Sequence, residues 1–144
     1  MHVPIEARVG RWLDQAGIDL AIAVDVRDRY AHQACFHAQQ AAENAVKALL
    51  TQLSGDSIPT HELERLVAAC ERLDARAPDD VRADARSLDK YYVSTRYPDA
   101  LGFADAGLAY QRRDADAAIG AARSVRAWCE NAIGAARAAQ GDLS

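Results

Sequence analysis

Two groups of side chains in this sequence are of types that handle phosphates, bases or protons. The first is Tyr91, Tyr92, Arg96, Tyr97 and Asp99. Tyrosine faces stack on bases, and a guanidinium grips a phosphate through two parallel hydrogen bonds. The same residues also have a structural use, in which the rings close one end of a helical bundle and Arg96 ties a turn to Asp99. The structural use is the preferred one, because the group spans a helix exit followed by Pro98, which itself needs support.

The second group lies in the stretch Ala34 to Leu50. Wound at 3.6 residues per turn, Ala34, Ala38, Ala41, Ala45, Ala48 and Leu49 share one side with Cys35, Ala42 and Val46. Gln33, His37, Gln40, Asn44 and Lys47 share the other, interrupted only by Phe36. The plainer reading of this strip is a solvated helix face; the sharper one is a hydrogen-bonding lining that faces a groove or a partner chain. His37 can carry a proton, but a lone histidine on a helix is more often a structural hydrogen-bonding group. Glu43 and Lys47 are spaced as a helix-surface ion pair, worth about 0.2–0.5 kcal/mol. His61, in the first turn of a later helix, is expected to hydrogen-bond locally near the preceding loop.

Five helices are needed to position these groups. Val9, Leu13, Ala16, Leu20 and Ala23 step by four and three, which predicts a first helix over about residues 4–27. Gly17 interrupts it at a cost of about 1 kcal/mol relative to alanine. A central helix follows from about Tyr30 to Leu53, antiparallel to the first because the joint is short. Ser54, Gly55, Asp56, Ser57 and Pro59 break the chain, and Thr60 is placed to cap a third helix with the stripe Leu63, Leu66, Val67, Cys70 and Leu73, ending at Ala77 and Pro78. Asp79 or Asp80 caps a fourth, carrying Val81, Ala85, Leu88 and Tyr92, which turns just after Thr95. Residues 99–113 form a long connection pinned by Leu101, Phe103, Leu108 and Tyr110. The fifth helix runs from about Asp114 to Gln140, with Gly141 as its stop. Helices one, two and five are the longest, and there is no strand signal. The expected fold is an all-α, five-helix, up-and-down bundle in one domain spanning residues 1–144.

Composition narrows the functional classes. With 50% apolar and 26% charged residues the chain is ordinary globular protein, and a formal charge of −4 does not suit a domain that coats nucleic acid by bulk electrostatics. No apolar run is long enough to span a membrane and no signal peptide is evident, so a cytoplasmic location is expected. Cys35, Cys70 and Cys129 lie far apart on apolar stripes, which predicts buried reduced thiols rather than a disulfide or a metal site. No metal ligand set and no cofactor is implied. Arg112 and Arg113 can add positive charge near the start of the fifth helix, although two basic residues are weak evidence.

Three local patterns occur in a telling order: FHAQQAAENAVKALL on the central helix, THELERL at the third, and LDKYYVSTRYPDA after the fourth. Together they resemble the HEPN domain family, over about Ala7 to Ala136. More narrowly, they are similar to its prokaryotic branch, often encoded beside a minimal nucleotidyltransferase. The resemblance implies a five-helix bundle, frequent pairing of two such domains, and a role in nucleotide or RNA metabolism. The family's nucleases carry an arginine followed after four to six residues by a histidine, so that a guanidinium can hold a phosphate while an imidazole moves protons. Here Arg96 leads into Tyr97, Pro98 and Asp99, and no histidine follows His61. Arg27 with His32 has the spacing, but at the wrong place, and one such match is expected by chance.

The expectation is therefore a noncatalytic nucleotide-binding or accessory component, acting with a separate nucleotidyltransferase, as in a toxin-antitoxin-like pair. The chain has no GS…DxD carboxylate motif that would make it the transferase. A metal-independent RNase toxin and a scaffolding helical homo-oligomer are the alternatives. A homodimer is the expected state, and a nucleotide or RNA the expected ligand. The candidate ligand-binding residues are Tyr91, Tyr92, Arg96, Tyr97 and Asp99, together with His37, Gln40, Asn44 and Lys47. None is assigned a catalytic role. Arg96 is expected to face a groove beside the central helix, within reach of the polar strip.

Overall fold

The computed structural model describes residues 3–96 and 110–143, with side chains described for 3–92 and 110–141. The described residues form five helices: α1 Ile5–Val26, α2 Ala31–Ser54, α3 Leu63–Glu71, α4 Asp79–Arg96 and α5 Arg112–Leu143. α1, α2 and α5 are the longest of the bundle helices, at 22, 24 and 32 residues. α1 runs unbroken through Gly17, so packing absorbs the glycine's local cost.

α2 is the hub. Every residue from Ala41 to Gln52 is buried, because α1, α3, α4 and α5 pack around it. Its alanines let these neighbours approach closely, and the larger side chains of the surrounding helices, including Leu63, Leu66, Leu88 and Ile119, complete the core. Pairs along the helices fix their directions. Arg8 reaches Asp56 at one end of the α1–α2 hairpin while Asp19 meets His37 and Asn44 further along, so the two are antiparallel. Arg112 bonds Asp28 and Arg137 bonds Gln52, so α5 runs parallel to α2. Asp89 meets Leu63 and Arg82 meets Glu71, which makes α3 and α4 a second antiparallel hairpin.

α2 ends where Gly55 takes φ 88°, a left-handed conformation natural to glycine, and its N–H donates to the Thr51 carbonyl at 2.8 Å. Residues 56–62 then run back along the flank of α2 as far as Glu43.

Several expected boundaries move. α3 ends at Glu71, not Ala77: Leu73 is exposed, and Asp74 adopts φ 70° within the turn that follows. Thr60 does accept a hydrogen bond, from the Glu62 N–H at 3.2 Å, but this bond precedes the helix. α3 itself is capped by Asp89 of α4, whose two carboxylate oxygens accept from the Leu63 and Glu64 amides at 2.6 and 3.0 Å. α5 begins at Arg112, with the Asp114 carboxylate reaching back to the Gln111 N–H at 2.8 Å, and it passes through Gly141. Residues 97–109, most of the expected connection, lie outside the described residues. Tyr110 at their far end is partly buried and packs edge-on against Tyr91, with ring centroids 5.7 Å apart. All three cysteines are free and buried, and burial pushes the thiols of Cys35 and Cys70 up to about 12. Among the described residues, no helix is long and apolar enough to cross a membrane.

Candidate functional site

The polar strip of α2 is not a solvated face. Only Gln33 at its start is exposed, whereas Asn44 and Lys47 are buried and His37 and Gln40 partly so. α1 lies against this side of α2 and brings Asp19 into the interface, itself buried. Asp19 Oδ2 accepts from Asn44 Nδ2 at 2.9 Å and from Gln15 Nε2 at 3.2 Å, and Asp19 Oδ1 lies 3.0 Å from His37 Nδ1. A carboxylate only accepts, so Nδ1 of His37 carries the hydrogen.

One turn along, Glu43 organises a second set. Lys47 Nζ is 3.1 Å from Glu43 Oε2, and both His61 contacts, from Nδ1 to the two carboxylate oxygens, are 3.2 Å. Gln40 Nε2 donates to Gln39 Oε1 at 2.6 Å, and Gln39 Nε2 donates to the His61 carbonyl at 3.3 Å. The Glu43–Lys47 pair is thus buried rather than on the surface, and His61 is bound to a residue of α2 rather than to its local loop. The two carboxylates, with the ammonium, imidazoles and amides around them, form two adjacent sets of paired groups along α2, as burial of charge requires.

His61 also stacks on Tyr92, with ring centroids 4.7 Å apart and planes 11° apart. Its side chain is half exposed, with Nδ1 turned to Glu43. The His61–Tyr92 stack forms one wall of an open concavity of about 710 Å³, whose other walls include Thr60, Glu62, Glu64 and Asp89. The concavity is acidic. Burial pushes the Asp89 carboxyl above its ordinary value, against the pull of the two amide hydrogen bonds it accepts. Among the described residues no group of three or more histidines, cysteines or carboxylates is arranged to hold a metal ion.

A family model described as the HEPN domain matches residues 9–132. The chain belongs to the HEPN domain family. Solved structures agree. TT1696 from Thermus thermophilus is 37% identical with a TM-score of 0.80, the match covering 87% of this chain and 98% of that one. ST0689, described as an archaeal HEPN homologue, is 34% identical with a TM-score of 0.72, covering 87% and 97%. No curated protein matches the chain.

In this HEPN domain the nine candidate ligand residues separate. His37 and Asn44 bond Asp19 across the α1–α2 interface, while Gln40 and Lys47 bond Glu43 within α2. Tyr91 and Tyr92, adjacent in sequence, point apart: Tyr91 is buried in the core against Tyr110, and Tyr92 lines the acidic concavity. The Arg96 side chain, Tyr97 and Asp99 lie outside the described residues. Sequence reasoning missed Asp19, Gln39, Glu43 as a buried hub, Asp89 as a cap, and Trp12. The indole of Trp12 has Lys47 Nζ 5.3 Å from its centroid and separates two concavities on the α1 side. A tryptophan one residue from Arg11 and four from Arg8 was the available signal.

Proposed function

We propose that this HEPN domain is a noncatalytic, nucleotide-binding accessory component that works with a nucleotidyltransferase supplied by another chain, in the manner of a toxin-antitoxin-like pair. The observation that carries the reading is the use to which α1 and α2 put their ionisable groups. Asp19, Glu43, Lys47 and His37 are paired inside the bundle, which makes them supports rather than reagents. The sequence adds that no histidine follows Arg96, where the nuclease members of the family keep theirs. Association as a homodimer fits the alanine-rich helices and the exposed Ile18 on α1.

One observation favours the ribonuclease alternative. His61 is oriented by Glu43 through Nδ1 and is half exposed, an arrangement suited to proton transfer. The experiment therefore has two arms. Calorimetric titration with AMP, ADP and ATP should give saturable binding. Incubation with RNA in the absence of metal should leave the RNA intact. Cleavage that disappears in His61→Ala would overturn the noncatalytic reading.

A further inference from the structure

We propose that the surface around Trp12 of α1 is a mononucleotide site, in which the base lies on the indole and the phosphate is held by Arg8 and Arg11. The proposal rests on the nucleotide-binding reading above and gives it a place that the sequence candidates do not include. Two concavities, of about 380 and 240 Å³, lie beside one another and share Trp12 and Asp56 as walls. The larger, lined also by Arg8, Arg11 and Gln15, is within the range of small-ligand pockets. The smaller is lined by Lys47 and by Ser57, Ile58 and Pro59 of the segment after α2.

The chemistry of the lining selects the ligand. Arg8 and Arg11 stand three apart on one helix and so project from neighbouring positions on one face. Arg8 pairs with Asp56 at 3.0 Å, but the Asp56 side chain is 86% exposed, so the pair is a weak surface one that a phosphate can replace. Arg11 is exposed and has no ion-pair partner among the described residues. Trp12 is partly buried and held in the bundle, which presents its ring as a fixed stacking surface at little entropic cost. Ser57 Oγ, on the wall of the smaller concavity, is buried and without a hydrogen-bond partner among the described residues. A buried hydroxyl costs free energy while unpaired; it is closed to solvent in this conformation, and rotation of the Ser57 side chain toward the concavity would let a ribose or base edge bond it.

The larger acidic concavity beside Tyr92 is a poorer choice for the same ligand. One face of its aromatic ring is taken by His61, as one face of Trp12 is by Lys47, but its lining sets Glu62, Glu64 and Asp89 and no arginine against a phosphate, whereas the Trp12 surface offers Arg8 and Arg11 beside the single Asp56.

The test is calorimetric titration of AMP, adenosine and a short single-stranded RNA into wild type, Arg11→Glu and Trp12→Leu, with thermal melts alongside. AMP should bind wild type. Adenosine should bind about tenfold more weakly for want of the charge-assisted hydrogen bonds, and Arg11→Glu should lose about tenfold or more in AMP affinity with Tm unchanged. Arg11 is exposed, so this variant stays informative if Trp12→Leu fails to fold. AMP affinity that is the same in Arg11→Glu and wild type overturns the proposed site while nucleotide binding stands. Binding of the RNA but not of AMP overturns the mononucleotide assignment. No binding of any nucleotide overturns both this proposal and the reading beneath it.

Discussion

Lys47 Nζ stands 3.1 Å from Glu43 Oε2 inside the bundle, where the two side chains are only 10% and 2% exposed. One turn of helix separates them in sequence, so the pair could have been a minor surface feature. Burial reverses its weight. Removing the lysine leaves a carboxylate out of water, with the partly exposed His61 as its remaining ion-pair partner among the described residues. Lys47→Met should destabilise the fold by about 3–5 kcal/mol, whereas Glu43→Gln combined with Lys47→Met should recover much of that loss. Urea denaturation of the two single variants and the double variant checks this, and a loss below about 1 kcal/mol for Lys47→Met would show that Glu43 does not depend on it.

Asp19 accepts from Gln15 and Asn44 and meets His37 across the α1–α2 interface. Asp19→Ala removes the acceptor of two amides and an imidazole at once, the buried Asn44 losing most, and should cost about 2–4 kcal/mol in unfolding free energy. Nuclear magnetic resonance of the His37 ring should show its Nδ1 hydrogen exchanging faster in the variant. Equal stability and unchanged exchange would mean that the interface is held by packing alone.

Asp89 caps a nine-residue helix from a different helix. With so few turns, α3 has little cooperative stability of its own. Asp89→Ala should lower global stability by about 0.5–2 kcal/mol. The amides of Leu63 and Glu64 should lose most of their protection against hydrogen exchange, while those of α1 keep theirs. Protection that falls evenly over the whole bundle would argue against a local capping role.

The buried thiols make a prediction about alkaline pH. Burial raises Cys35 and Cys70 from an ordinary value of 9.0 to about 12 in the folded chain. Their folded pKa values are raised, so the unfolded chain releases these protons first. The stability they contribute is complete below pH 9.0 and declines as pH rises toward about 12. Unfolding midpoints in urea should therefore fall across that window, and Cys35→Ser should flatten part of the decline. Under native conditions at about pH 8, thiol-reactive reagents should label the protein far more slowly than they label it in denaturant. Rapid native labelling of Cys70 would contradict its burial.

The HEPN pattern and the helices were legible in the sequence because their signals are local. Val9, Ala16, Leu20 and Ala23 mark one face of α1 by spacing alone, and all four are buried. The break at Gly55 follows from single-residue chemistry, a left-handed glycine, whereas α4 already includes Asp79 and Asp80, which sit in its first turn against the helix dipole rather than capping it from outside. Local signals also misled: Leu73 continued the stripe of α3, yet the helix ends two residues before it, and Gly141 did not stop α5 because glycine in a helix costs only about 1 kcal/mol.

The polar face of α2 was visible as a strip, but its fate was not. Whether Asn44 and Lys47 meet water depends on what lies against them, and α1 lies there with Asp19 placed to receive Asn44 from 25 residues away. His61 and Glu43 are 18 apart, and Asp89 is 26 from the Leu63 amide it caps. Nothing in the spacing of a helix encodes a partner at such separations. The sequence by itself determined the helices, the apolar faces and the family. The tertiary structure alone decided that the charges of α2 are enclosed and paired, because burial is a property of neighbouring helices and not of the helix that carries the charge.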